Sequence, residues 1–157
     1  MARPTPEHRS LSFATVDDYA RELDRLEAAE ASGGLRVSGA YSPAQNFHHL
    51  ARWIEMYEKG TLPKVPFVMK LVGPFMKKRL LTNGFPKGLP GPGGKPQTEP
   101  DNGFAESLAY LRAKLEVLGS RDLTHKNPFF GAMSHEESLT LQLKHGEHHL
   151  GFIHPAG

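Results

Sequence analysis

The sequence predicts an all-α protein, an antiparallel four-helix bundle with one Pro/Gly-rich irregular loop, on three observations. Four segments repeat apolar residues at helical spacing, each opening on a capping residue or closing on glycine. No alternating strand pattern of useful length appears. The 157 residues make one domain by size, and with no cysteine they must rely on a buried apolar core rather than on disulfides.

Taken in order, residues 1–12 read as a flexible N-terminal tail ahead of a single domain over 13–157. Thr15-Val16-Asp17-Asp18 is a capping-box start for a first helix reaching about Ala31, with Tyr19, Leu23 and Leu26 at helical spacing. Ser32-Gly33-Gly34 ends it. The second helix opens on Ser42-Pro43-Ala44-Gln45, which places Ser at the N-cap, Pro at the first helical position and Gln where it reaches back to the cap. It runs to Glu58 or Lys59, and Gly60 stops it.

Leu62 to Leu81 is apolar and basic but interrupted by Pro66 and by Gly73-Pro74, so a short kinked helix or two pieces are expected. From Asn83 to Pro100 proline and glycine are too dense for a helix or a central strand. That stretch lacks the Gly-Lys-Ser/Thr end of a phosphate loop and any sustained collagen repeat, which leaves an irregular surface loop. A third long helix spans roughly Gly103 to Leu118, with Phe104, Leu108, Leu111 and Leu115 on one stripe. Ser134-His135-Glu136-Glu137 is another capping box and starts the last helix, which continues to about Leu150.

Composition bounds the chemistry. The formal charge of +2 is nearly balanced and argues for no strongly acidic partner. Without cysteine there is no thiolate zinc site, iron–sulfur cluster or cysteine nucleophile, so any metal must sit on nitrogen and oxygen. No Gly-x-Ser-x-Gly elbow occurs, and the carboxylate pairs Asp17-Asp18 and Glu136-Glu137 stand at helix starts, where they satisfy the dipole. Met1 to Ser10 is polar, and no run approaches the ~20 apolar residues of a membrane span. A cytoplasmic protein is expected, with a small-molecule substrate and no membrane or nucleic-acid partner. Between Lys59 and Gln97, however, eight Lys or Arg residues occur with no Asp or Glu. Such a stretch suits a solvated face, or else nucleic acid, anionic lipid or an acidic substrate.

The histidines are the most informative residues. In Lys144-His145-Gly146-Glu147-His148-His149-Leu150, His145 and His149 stand four apart and share a helix face, which suits chelation of one divalent ion. His148 competes, because three-residue spacing also works on a helix. Upstream, Phe47-His48-His49-Leu50 offers a third nitrogen from a second helix, and spacing alone leaves His48 and His49 as equal alternatives. Three imidazoles meeting at one point would leave a metal with open positions, and bundle cores are where facing helices build such sites. Zn²⁺ and Ni²⁺ suit all-imidazole ligation best, with Fe²⁺ and Mn²⁺ behind them. His125 and His135 read as structural or solvated, and His154 belongs to a tail that could fold back over the site.

Ser42-Pro43-Ala44-Gln45-Asn46-Phe47-His48-His49-Leu50-Ala51, followed late by His145-x-x-His148-His149-Leu150, resembles the DinB/YfiT-like superfamily of metalloenzymes. More narrowly, Asn127-Pro128-Phe129-Phe130-Gly131-Ala132-Met133-Ser134, then the histidine helix and a His-Pro tail, resembles a branch described only as a domain of unknown function. The similarity spans residues 13 to 155. It implies a DinB-like four-helix bundle whose metal is held by the histidine directly before Leu-Ala, His49, and by the pair His145 and His149. The branch usually carries histidine where Asn127 precedes Pro128, so a step that needs that histidine would be missing here.

The resulting expectation is a divalent-metal-dependent enzyme. It would act through metal-activated water, as a hydrolase does. Alternatively it would act through a metal-bound low-molecular-weight thiol, as the thiol-dependent transferases and isomerases of the superfamily do. Gln45, Arg52 and His148 are the residues expected to orient the ligands or touch substrate. The competing expectations are a non-catalytic metal-binding or stress-response bundle that forms a homodimer, and a basic-surface binder whose histidines are incidental.

Overall fold

Three helices open on the reciprocal capping boxes that the sequence predicts, each satisfying donors that a helix start otherwise leaves bare. Ser42, for example, accepts from the Gln45 amide at 3.2 Å while its own amide donates to Gln45 Oε1 at 2.9 Å. The computed structural model describes residues 6–88, 98–123 and 126–156. They form α1 (Val16–Ala31), β1 (Leu35–Val37), α2 (Pro43–Lys59), α3 (Phe67–Asn83), α4 (Phe104–Ser120), α5 (His135–Leu150) and β2 (Ile153–Pro155). The centre of the expected Pro/Gly loop, residues 89–97, lies outside the described residues, as does His125.

The protein is mostly helical, and its core follows the predicted stripes. Tyr19, Leu23 and Leu26 of α1 meet Phe47, Leu50, Ile54 and Tyr57 of α2, Leu108, Leu111, Leu115 and Leu118 of α4, and Leu143 and Leu150 of α5. The spacing keeps each set on one helix face, so burying it removes a continuous apolar surface from water. The most extensive helix pairing is α2 on α4. Gly146 lets α5 press against α1: a Cβ there would lie 2.4 Å from the Tyr19 ring. No helix among the described residues is long and apolar enough to cross a membrane.

Three features differ from the sequence expectation. Five helices occur among the described residues, because the stretch expected as a short kinked helix or two pieces is one helix, α3, of 17 residues with Pro74 inside it. Gly73 rather than a break explains its position, since a Cβ there would stand 1.7 Å from the Phe129 carbonyl oxygen. The backbone of α3 therefore lies directly on the Asn127–Gly131 turn, and Lys77 ties it to Glu137 of α5 at 3.1 Å. Second, a small sheet exists where none was expected: β1 and β2 pair antiparallel, with Leu35 opposite Pro155 and Val37 opposite Ile153. Strands of three residues are too short to alternate visibly, and their pairing joins distant parts of the chain.

Third, the described part of the expected tail is held in place. The Arg9 amide donates to Gly151 O at 2.8 Å, its guanidinium to Ile153 O at 2.6 Å and to Leu150 O at 3.1 Å, and it pairs with buried Glu22. His8 donates to His148 O at 2.8 Å, and the Phe13 amide to Glu147 Oε1 at 2.7 Å. Most of these acceptors are backbone carbonyls at the end of α5, which a reading of side-chain pattern does not see.

Candidate metal centre

α2 and α5 bring their histidines together in the interior. His49, on the core side of α2, is 5 % exposed, while His145 and His149 project from α5 one turn apart and are half-buried. One ligand atom from each lies within 4.8 Å of the others. The ring centroids are separated by 5.1 Å (His49 to His145), 4.4 Å (His49 to His149) and 4.8 Å (His145 to His149).

The hydrogen bonds behind the rings settle which nitrogens face inward. His49 Nδ1 stands 2.8 Å from Glu99 Oε1, and an ionised carboxylate only accepts, so Nδ1 carries a proton and Nε2 faces His145. His149 Nδ1 stands 3.1 Å from Asn46 Oδ1. The Asn46 amide nitrogen is committed to the carbonyls of Tyr41 at 3.2 Å and Ser42 at 3.0 Å, which leaves its oxygen to accept from His149. Both rings are therefore oriented by an oxygen on the far side, the arrangement that metal-bound imidazoles nearly always show.

Burial, followed by the neighbouring imidazoles, holds His145 and His149 well below the usual histidine range and so keeps their lone pairs free near neutral pH. Burial pushes the Glu99 carboxyl up, but its hydrogen bond from His49 and the Arg52 guanidinium outweigh this and hold it low and ionised. Glu99 is itself fixed from behind, its carbonyl accepting from Gln45 Nε2 at 2.9 Å.

One spacing inside the cluster matches that around a cation. His49 Nε2 and His145 Nε2 are 3.3 Å apart. Two imidazole nitrogens at that distance share either a proton or a cation. Tetrahedral ligation at ~2.0–2.1 Å per nitrogen sets neighbouring nitrogens about 3.3–3.4 Å apart. The donor set is all imidazole nitrogen, suited to a borderline divalent ion. Aromatic rings complete the surroundings. Tyr41 lies 5.8 Å from His49 and 6.2 Å from His149 between centroids, and His145 sits between Trp53 at 6.0 Å and Phe85 at 5.2 Å.

The other sequence candidates fall elsewhere. His48 turns to α4, 5.4 Å from the Tyr110 ring, so helix geometry separates the two adjacent histidines that spacing could not. His148 stays outside the cluster, packed with His8, Phe85 and Phe152, and burial lowers its pKa to about 4. Arg52 acts on the centre through Glu99, and Gln45 both caps α2 and holds Glu99. His135 is exposed near Asp122, and His154 lies against Ser38 Oγ at 2.9 Å beside the small sheet rather than over the histidines.

Sequence reasoning missed Glu99, Asn46, Tyr41 and Phe85. Asn46 stands one helical turn before His49 and was recoverable from that spacing. Glu99 and Phe85 flank the Pro/Gly stretch, and no periodicity places loop residues.

A family model described as a protein of unknown function, DUF1569, matches residues 5–156. No curated protein and no solved structure matches the chain. With nearly its whole length matched, the chain belongs to the DUF1569 family of proteins of unknown function.

Proposed function

We propose that this protein is a divalent-metal-dependent enzyme acting on a small molecule, with the metal held by His49, His145 and His149. The observation that carries the proposal is the 3.3 Å approach of His49 Nε2 and His145 Nε2, with the His49 ring held from behind by Glu99 and the third ring, His149, by Asn46. A bound Zn²⁺ or Ni²⁺ would supply Lewis acidity, stabilising a thiolate or lowering the pKa of a water molecule. The half-buried His145 and His149 leave an approach from solvent, as a reactive rather than a sealed centre needs.

Of the two reaction classes, coordination of a low-molecular-weight thiol, in a transferase or isomerase, is the better supported. Glu99 is buried behind His49 and its carboxyl is held low by His49 and Arg52, which makes it a weak base towards water. A thiol needs less help from a base, because it ionises close to neutrality. The chain's own residues orient the His49 and His149 rings, keep charge off His145 and His149 and line the approach with Trp53, Phe85 and Tyr41. The DinB-like reading belongs to the same proposal. It takes α1, α2, α4 and α5 as the four-helix bundle, supported by the core they share, with α3 laid against α5.

The test is elemental analysis of the purified protein beside a His145→Ala/His149→Ala variant, with melting curves before and after chelation. Near-stoichiometric metal that the variant lacks, and a melting temperature that chelation lowers only in the parent, are expected. No metal in either protein after reconstitution with Zn²⁺ or Ni²⁺ would remove the basis of the proposal.

A further inference from the structure

The basic stretch between Lys59 and Gln97 folds into a surface of unusual character. Among the described residues every exposed large apolar side chain lies on α3: Phe67, Val68, Leu71, Val72 and Phe75. At ~100° per residue they cover an arc about 140° wide along the first half of the helix. Exposed Lys78 and Arg79 continue the same arc, Lys64 precedes it and Lys70 borders it. The opposite side of α3 is fixed in place by Gly73 on the Phe129 carbonyl, by buried Leu80 and by the Lys77–Glu137 pair. The apolar arc therefore cannot roll inward. Phe67 and Phe75, 73 % and 82 % exposed, stand out from the molecule. A contiguous patch of this kind marks an interaction site.

Charge decides what covers it. A two-fold contact between copies would set the patch against itself, bringing Lys64, Lys70, Lys78 and Arg79 towards like charges in a segment that holds no carboxylate. An apolar stripe framed by cations instead matches an anionic bilayer, where aromatic and aliphatic side chains enter the headgroup–acyl boundary and Lys and Arg meet phosphates. We propose that α3 docks this protein peripherally on anionic phospholipid, with Phe67, Leu71 and Phe75 inserted and the four cations at the headgroups. The expectation of no membrane partner came from the lack of a spanning segment, and a helix lying in the interface needs none. The proposal is independent of the metal.

Co-sedimentation with vesicles tests it, using phosphatidylcholine alone and phosphatidylcholine mixed with phosphatidylglycerol. The full chain should pellet with the mixed vesicles, not with the neutral ones, and added salt should release it. Phe67→Ser/Phe75→Ser should abolish binding, and Lys78→Gln/Arg79→Gln should weaken it roughly 25-fold, about fivefold per charge. Both variants should keep the parent's melting temperature, since these side chains are exposed. Failure of the parent to pellet with the anionic vesicles overturns the proposal. So does binding that both variants retain. A parent that is dimeric by sedimentation equilibrium, becomes monomeric with Phe67→Ser/Phe75→Ser and ignores vesicles would name a second copy as the occupant instead.

Discussion

Replacing Glu99 by Gln isolates what the carboxylate does for the three histidines. The amide keeps the shape and an oxygen that can accept from His49 Nδ1, the bond now 2.8 Å long. Two things change. Arg52, which pairs with the same carboxylate oxygen, loses its counter-charge. The second carboxylate oxygen, buried without a hydrogen-bond partner among the described residues, becomes an NH₂ group. The alternative amide orientation points that NH₂ at the Nδ1 proton of His49 and so favours the wrong tautomer. Either way the His49 ring is held less firmly and is a poorer electron donor. Changes to such supporting groups typically lower metal affinity ~10–100-fold, or about 1.4–2.8 kcal/mol. The assay is competition for Zn²⁺ against a chromophoric chelator, with the parent, Glu99→Gln and His49→Ala measured side by side. The expected order is parent tightest, Glu99→Gln weaker by that factor and His49→Ala weakest. Equal affinity in parent and Glu99→Gln, with His49→Ala much weaker, would show that the carboxylate does not orient the ligand and would refute the reasoning.

Three further outcomes follow from the packing and the charges. Gly146→Ala drives a methyl group into the Tyr19 ring 2.4 Å away, and overpacking of this kind should lower stability by ~1–3 kcal/mol in denaturant titration. Combining it with Tyr19→Leu should cost less than the sum of the two single changes. Gly73→Ala meets backbone rather than a side chain, so α3 must lift from the Phe129 carbonyl, which faster hydrogen exchange confined to α3 and residues 127–131 would reveal. Hydrogen bonds from Lys59 and then Tyr110 hold the Glu55 carboxyl down to about 2, against 4.5 for the free group. Because the folded value is the lower one, this stabilisation is complete above pH 4.5 and is lost as pH falls through about 2. A Glu55→Gln protein should therefore show a shallower loss of stability across that interval in acid titration followed by circular dichroism.

What the sequence revealed and what it hid divide along the range of the interaction involved. Capping boxes at Thr15, Ser42 and Ser134 are contacts across three residues, and the helices begin where those residues stand. Core faces repeat over one helix and were equally legible. The two adjacent histidines of α2 were not separable by spacing, because which one turns inward depends on where α4 lies; the structure puts Tyr110 of α4 against His48. Arg9 and Glu22, His8 and His148, and β1 and β2 meet only after the chain has folded, and nothing local announces them. Pro74 pointed to a kinked or divided segment, whereas the close approach at Gly73 keeps a single helix against the turn. Glu99 is the clearest omission: a lone acid after a Pro/Gly stretch carries no periodic signature, yet it fixes His49.

The three-histidine cluster also sets an order of events during synthesis. His49 and His145 are 96 positions apart, and two of the three nitrogens arrive on α5. Every residue from His49 through His149 must leave the ribosome before the three imidazoles can meet. Metal capture would then be a closing step of folding rather than a seed for it. Once made, it would act as a clasp across a very long loop, where the entropy removed from the unfolded chain is large. Limited metal supply would thus leave finished chains that are open at the same place, with α5 and the residues that grip its end the first to let go.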